Sequence, residues 1–299
     1  MMPSKVFRFE NVRAADAMKT HEVKLNKMIL GPRQPLVLIA GPCVIEGEKQ
    51  ALQAAEKICK ITEALRIPFI YKSSYDKGNR TSFRSYRGPG LKEGLRILKK
   101  VKDSFKIPLC SDVHSTKEVW AVKDTLDIIQ IPALLSRQTD ILIEAGKTKK
   151  IINIKKGQFM APWDMEHVIA KVAKTGNRKI LLTERGTCFG YNNLVSDMRS
   201  LAWMRALGYP VIYDVTHSVQ LPGRRGHASG GDRQWIPYLA RAAVGCGCDG
   251  IFMEVHVNPD RALCDGPNMW PIRHLKPLLK LLIDIHKIVK QASSNGMKH

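Results

Sequence analysis

Four side chains of this 299-residue chain could share one metal ion although they stand far apart: Cys43, His217, Glu254 and Asp265. A thiolate, an imidazole and two carboxylates suit Zn²⁺, Fe²⁺ or Mn²⁺ better than Mg²⁺ or Ca²⁺, which favour oxygen shells. A second resource is cationic: Lys72, Lys77, Arg80, Arg137, Lys155 and Arg185. Charge-assisted hydrogen bonds to phosphate or carboxylate are roughly twice as strong as neutral ones, and guanidinium groups make them in pairs. Taken together, six such cations point to substrates carrying several negative charges, such as two phosphorylated or carboxylated molecules. Each residue also has an ordinary explanation. Cys43 reads equally as a small buried hydrophobe, His217 as a hydrogen-bonded core residue, Glu254 as the partner of an arginine, and any single lysine as half of a surface ion pair. Spacing alone leaves the metal site open between these readings. His114 and His256 are weaker ligand candidates.

These groups matter only if the fold collects them. Eight short apolar, β-branched runs alternate with longer amphipathic stretches: 36–40, 68–71, 108–110, 128–131, 151–154, 180–182, 211–213 and 250–253. Helical patterns fall at 48–65, 91–105, 138–145, 165–174, 194–207, 236–244 and 275–291. Eight alternations predict an α/β chain folded as a (β/α)₈ TIM barrel in a single domain. A doubly wound sheet would show a Gly-x-Gly-x-x-Gly turn after its first strand, where this chain has Gly41-Pro42-Cys43. The strand exits carry Lys72-Ser73-Ser74, Asp112-Val113-His114, Lys155-Lys156, Glu184-Arg185, Asp214-Val215-Thr216-His217 and Glu254-Val255-His256. In a barrel these exits share one rim, and crowded charges there are costly unless they are paired or bind something. The rim is therefore the expected active site. Closure of the barrel would bring the last strand beside the first, and so Glu254 and Asp265 toward Cys43.

Residues 1–30 read as an N-terminal extension, either loosely ordered or closing the barrel bottom, 31–291 as the catalytic barrel, and 292–299 as a frayed tail. The segment Leu221–Gln234, rich in Gly and basic residues, suits a mobile lid over an anionic substrate or an exposed connection. With 44% hydrophobic and 25% charged residues the chain has a globular balance, and 22 Gly and 16 Pro without a repeat exclude collagen-like or mucin-like classes. No apolar run reaches the roughly 20 residues that span a bilayer. The first thirty residues lack an apolar signal core, and Glu10 and Asp16 count against a transit peptide. Seven cysteines, odd in number and without a Cys-x-x-Cys pair, predict a reducing compartment. A cytoplasmic chain with no membrane partner is expected. The net charge of +21 is spread along the sequence, so a basic surface is the simpler reading and a dedicated nucleic-acid groove the less favoured one.

Several motifs then converge on one family. Ala40-Gly41-Pro42-Cys43, the run from Lys72 to Ser82, Ser85-Tyr86-Arg87-Gly88, Asp112-Val113-His114 and Gln130-Ile131-Pro132-Ala133 resemble 3-deoxy-D-manno-octulosonate 8-phosphate synthases. So do Arg137-Gln138-Thr139-Asp140, Asn153-Ile154-Lys155-Lys156 and Asp214-Val215-Thr216-His217-Ser218, in order, from about Leu36 to Pro271. The resemblance implies condensation of phosphoenolpyruvate with D-arabinose 5-phosphate and water, releasing inorganic phosphate, in synthesis of the lipopolysaccharide sugar Kdo. It implies that Lys72, Lys77, Lys155 and Arg185 hold phosphoenolpyruvate, and that Lys155 also moves a proton. Asn79, Arg80 and Thr81 would take the sugar phosphate, with Asp112, Gln130 and Ala133 lining the substrates. Arg137 would arrive from a neighbouring subunit of a homotetramer. The family has metal-dependent and metal-free branches, and Cys43, with His217, Glu254 and Asp265, resembles the metal users. Cys264-Asp265-Gly266-Pro267 instead resembles the metal-free branch.

Two other readings compete. A 3-deoxy-D-arabino-heptulosonate 7-phosphate synthase would share the barrel and metal set but take erythrose 4-phosphate; Lys77-Gly78-Asn79-Arg80-Thr81-Ser82 favours the octulosonate enzyme. A basic nucleic-acid-binding barrel without activity would need an aromatic-interleaved basic patch, which the sequence lacks.

Overall fold

The computed structural model describes residues 20–80, 82–188, 191, 193–222 and 230–294. Among them, eight parallel strands close into a barrel: β1 (Val37–Gly41), β2 (Phe69–Lys72), β3 (Leu109–Asp112), β4 (Ile128–Ile131), β5 (Ile151–Lys155), β6 (Ile180–Glu184), β7 (Val211–Asp214) and β8 (Gly250–His256). Each pairs with the next, β7 pairs with β8 through Tyr213↔Ile251, and β8 returns to β1 through Met253↔Ala40 and Glu254↔Gly41. That last register is the closure that carries Glu254 to the exit holding Cys43. Helices α1 (Glu48–Leu65), α2 (Leu91–Phe105), α3 (Thr116–Val122), α4 (Thr139–Lys147), α5 (Met165–Ala173), α6 (Arg199–Ala206), α7 (Ile236–Gly245) and α8 (Leu275–Ser294) follow the strands in turn. The single-domain (β/α)₈ barrel expected from the alternation is what forms.

Side chains on a strand alternate between two faces, so each barrel strand splits into an inner and an outer set. The outer set, including Leu38, Tyr71, Ile129, Ile152, Leu182 and Tyr213, packs with the buried faces of the helices. The inner set is Val37, Ile39, Ile70, Cys110, Ile128, Ile151, Leu181, Ile212 and Phe252. Val23, Leu25 and Leu30 join this inner cluster from an antiparallel hairpin, Val23–Leu25 with Met28–Leu30, which plugs the barrel floor.

Two elements differ in detail from the sequence reading. The helical pattern expected from Leu194 starts at Arg199, whose backbone N–H donates to Asp197 Oδ1 at 3.0 Å. Upstream, Leu194–Val195 pairs with Thr187–Cys188 as a short antiparallel ladder. The brief helix α3 carries too little periodicity to stand out, but Ser115 caps it by accepting the Glu118 N–H at 3.2 Å. Of the lid segment, 223–229 lies outside the described residues, while Gln220–Leu221 pairs with Gly230–Gly231 at its two ends. No helix among the described residues is long and apolar enough to cross a membrane.

Candidate active site

The inner faces of the strands are apolar at the floor and polar at the exits. Lys72, Asp112, Gln130, Asn153, Lys155, Thr183, Asp214 and Glu254 each stand two residues, or four for Lys155, beyond an inner apolar residue of the same strand, so all face the barrel axis. They are buried, and they are linked. Thr183 Oγ1 donates to Asn153 Oδ1 at 2.6 Å, Asn153 Nδ2 to Gln130 Oε1 at 2.8 Å, and Gln130 Nε2 to Asp112 Oδ1 at 2.6 Å. Asp112 Oδ2 accepts from Ser74 Oγ and lies 3.1 Å from Lys72 Nζ. Lys72 Nζ also donates to Ser74 Oγ at 2.8 Å and to Glu254 Oε1 at 3.4 Å. Burial opposes ionisation of Asp112, but Lys72, Lys77 and Lys155 outweigh it and hold the carboxyl well below the usual range. Burial likewise works against the Lys72 ammonium, and Asp112 with Glu254 reverses that, raising it despite the neighbouring Lys77.

Lys155 stands on the opposite wall. Its Nζ lies 2.6 Å from Asp214 Oδ2, 3.4 Å from His217 Nδ1 and 3.7 Å above the Phe252 ring. Burial is the largest influence on this ammonium and pushes it below the ordinary lysine value, even with Asp214 beside it. Asp214 Oδ1 accepts the backbone N–H groups of Thr216 and His217, and Oδ2 lies 2.6 Å from His217 Nδ1. The Asp214 carboxylate at Nδ1 orients the ring so that Nε2 faces Glu254 Oε2, 3.7 Å away.

That direction leads to the thiol and carboxylates. His217, Glu254 and Asp265 can bring one ligand atom each to within 4.8 Å of one another, and so can Cys43, Cys264 and Asp265. The two trios share Asp265, which joins Cys43 to the His217–Glu254 pair, although no single group holds all four within that distance. Glu254 Oε2 is buried without a hydrogen-bond partner. Burial would raise this carboxyl, but Lys77, His217, Lys72 and Lys155 hold it down at about 2. An ionised, unpartnered carboxylate oxygen beside an imidazole nitrogen and a second carboxylate, with a thiol adjoining that carboxylate, is a donor set that fits a divalent ion of the zinc, iron or manganese kind.

Arg185 completes the cationic side. It is buried, its Nη2 donates to Gln220 Oε1 at 3.0 Å, and its Nη1 has no partner. A buried guanidinium N–H left open costs free energy unless an anion takes it. Lys156 points outward by strand alternation, donating to Thr187 Oγ1 at 3.0 Å and to the carbonyls of Gly157 and Met160. Lys77 reaches the site with Nζ 3.5 Å from Glu254 Oε1. Gly78 donates its N–H to His114 Nε2 at 3.3 Å, and a Cβ on Gly78 would fall 2.5 Å from that ring. His114 therefore braces the loop and does not meet the carboxylate–thiol group, while His256 faces Glu46 at 3.5 Å. Arg80 donates to Cys264 Sγ at 2.8 Å, Asn79 is exposed, and Thr81 lies outside the described residues. Ala133 is buried after β4. Arg137 is exposed, and among the described residues no hydrogen bond or ion pair of its side chain ties it to this cluster.

Sequence reasoning assigned no role to Ser74, Asn153, Thr183 or Asp214, the residues that hold the charged groups in register. The signal that would have found them is strand parity: each lies on the face set by the inner apolar residue below it.

Comparison with known proteins shows the family. The model of the DAHP synthetase I family matches residues 14–291. A 2-dehydro-3-deoxyphosphooctonate aldolase of Geobacter metallireducens is 58% identical over 271 residues, covering 91% of this chain and 100% of the relative. Proteins of the same name from Geobacter sulfurreducens and Pelobacter propionicus are 57% and 56% identical, each covering 91% of this chain and 100% of the relative. The match runs through every strand exit that lines the polar layer, and the chain belongs to the DAHP synthetase I family.

Proposed function

We infer that this chain condenses phosphoenolpyruvate with D-arabinose 5-phosphate and water to give 3-deoxy-D-manno-octulosonate 8-phosphate and inorganic phosphate. The observation that carries the reading is the 58% identity, over the full length of the relative, to a protein named 2-dehydro-3-deoxyphosphooctonate aldolase. The family model bears the heptulosonate name, but relatives at 54–58% identity bear the octulosonate one. The chemistry is C–C bond formation between two anions that repel each other, and a cation-lined barrel mouth suits it.

In this reading the open Nη1 of Arg185, with Lys72, Lys77 and Lys155, binds the phosphate and carboxylate of the enolpyruvate. Lys155, pushed below the ordinary lysine value by burial and held at Asp214, is the group suited to give and recover a proton. Asp112 and Gln130, locked by Asn153, Ala133 beside them, and Asn79, Arg80 and Thr81 on the loop orient the sugar phosphate. Cys43, His217, Glu254 and Asp265 would hold the divalent ion, which supplies Lewis-acid polarisation of the sugar aldehyde or the attacking water. The exposed Arg137 supports a homotetramer in which it serves a neighbour's site. A cytoplasmic location accords with seven cysteines, odd in number and without a Cys-x-x-Cys pair.

The test is phosphate release from the purified protein. Release is expected only when both phosphoenolpyruvate and arabinose 5-phosphate are present, and faster erythrose 4-phosphate turnover would overturn the substrate assignment. Chelation should abolish release and added Zn²⁺, Mn²⁺ or Fe²⁺ restore it, whereas activity unchanged by chelation would remove the metal from the account.

A further inference from the structure

One member of the second trio, Cys264, is not among the four residues read as metal ligands. Cys264 Sγ lies 3.1 Å from Cys43 Sγ, about 1 Å beyond the roughly 2.05 Å of an S–S bond. Both residues are buried, at 2% and 1% exposure, and 221 positions of sequence separate them. Barrel closure makes the meeting, by setting the loop after β8 beside the exit of β1. Neighbouring residues of an extended chain point to opposite faces. The left-handed backbone at Asp265, φ 49°, turns the chain so that Cys264 and Asp265 both reach Cys43, the latter with Oδ2 3.5 Å from its sulfur. Among the described residues, the other buried thiols, Cys59, Cys110 and Cys248, face no second sulfur at such a distance.

We propose that Cys43 and Cys264 form a modification site at which hydrogen peroxide joins the two sulfurs and so withdraws Cys43 from the metal. The consequence for activity rests on the metal reading above; the joining itself does not. The Cys264 sulfur, beside the Arg80 guanidinium at 2.8 Å, attacks one peroxide oxygen. The O–O bond breaks, an S–O bond forms, and the departing oxygen leaves as water with the thiol proton. The Cys43 sulfur then attacks the sulfenic sulfur, an S–S bond forms, and the hydroxyl leaves as a second water with the proton of Cys43. Peroxide is reduced to two waters while two thiols are oxidised to one disulfide. The geometry favours this ending over further oxidation, because the resolving sulfur is already in contact.

The experiment exposes the metal-stripped wild-type protein to hydrogen peroxide, blocks remaining thiols under denaturing conditions, and maps peptides by mass spectrometry. A link between Cys43 and Cys264 within one chain, reversed by dithiothreitol, is expected to form about ten-fold faster than oxidation of Cys59, Cys110 or Cys248. Linkage of Cys43 to any other cysteine, linkage between chains, or oxidation of Cys43 to a sulfinic acid with Cys264 intact would overturn the proposal. In Cys264→Ser the linked peptide should vanish and Cys43 should pass through a sulfenic acid to the irreversible sulfinic acid; a disulfide-linked Cys43 peptide in that variant would also overturn it. Prior loading with Zn²⁺ should slow the link about ten-fold, since a metal-bound thiolate is shielded. An unslowed link in the zinc-treated protein would sink the metal reading and leave the sulfur pair standing.

Discussion

At the scale of single residues, the polar layer works because donors and acceptors run in one direction. Asn153 uses both of its amide atoms, accepting from Thr183 and donating to Gln130, and this leaves Gln130 only one orientation toward Asp112. Asn153→Leu keeps the volume but strands two buried polar partners, at about 1–3 kcal/mol each. We expect kcat/KM to fall about ten- to a hundred-fold as Gln130 and Asp112 lose register. Steady-state kinetics beside a melting curve checks it, and a lower melting temperature with unchanged kinetics would reduce the relay to a structural role. Cys43, Lys72, Lys155, Arg185 and His217 could be named from type and position at strand exits. Asn153 and Thr183 could not, because an amide or hydroxyl inside an apolar strand has no charge to betray it, only its parity with the residues around it.

At the scale of elements, the loop carrying Lys77 to Arg80 is clamped from β3 and α3. Tyr75 Oη and the His114 backbone N–H donate to Glu118 Oε2 at 2.5 and 3.0 Å, while His114 Nε2 receives Gly78. Burial works against ionised Glu118, yet its hydrogen bonds from His114 and Tyr75 lower the carboxyl from 4.5 to about 2. A carboxyl depressed on folding contributes stability above its unfolded value and loses it as pH falls through the folded one. Thermal stability should therefore drop between pH 4.5 and about 2. Glu118→Gln should be less stable at pH 7 and flatter across that window, as melting temperature against pH will show; a parallel acid profile would assign the loss to other carboxylates. The same scale explains why Gly41 ends β1: a Cβ there would fall 2.0 Å from the Lys72 carbonyl oxygen, so only glycine lets β1 and β2 run together to the site.

At the scale of the molecule, the barrel is shut at one end by apolar packing and at the other by charge. The hairpin places Val23, Leu25 and Leu30 against the inner floor residues, and burying each such side chain contributes about 1.5–3 kcal/mol. Deleting residues 1–31 should therefore cost roughly 5 kcal/mol and lower the melting temperature by 10 °C or so. Calorimetry of the truncated chain decides; an unchanged transition would mean that the plug is dispensable. At the mouth Lys72, Lys77, Lys155 and Arg185 converge on the carboxylates of the site.

The amino-acid order determined the alternation of eight strands and helices, because hydrophobic period and turn residues are local properties that any stretch declares by itself. It also determined which polar types end each strand, and the family motifs with them. Tertiary structure decided what those residues do to one another. Closure set Glu254 against the exit of Cys43, buried Asp214 between Lys155 and His217, turned Lys156 away from the mouth, and brought Cys264 to Cys43. Such meetings depend on register and on the handedness of a closed sheet, and no local stretch of sequence carries either.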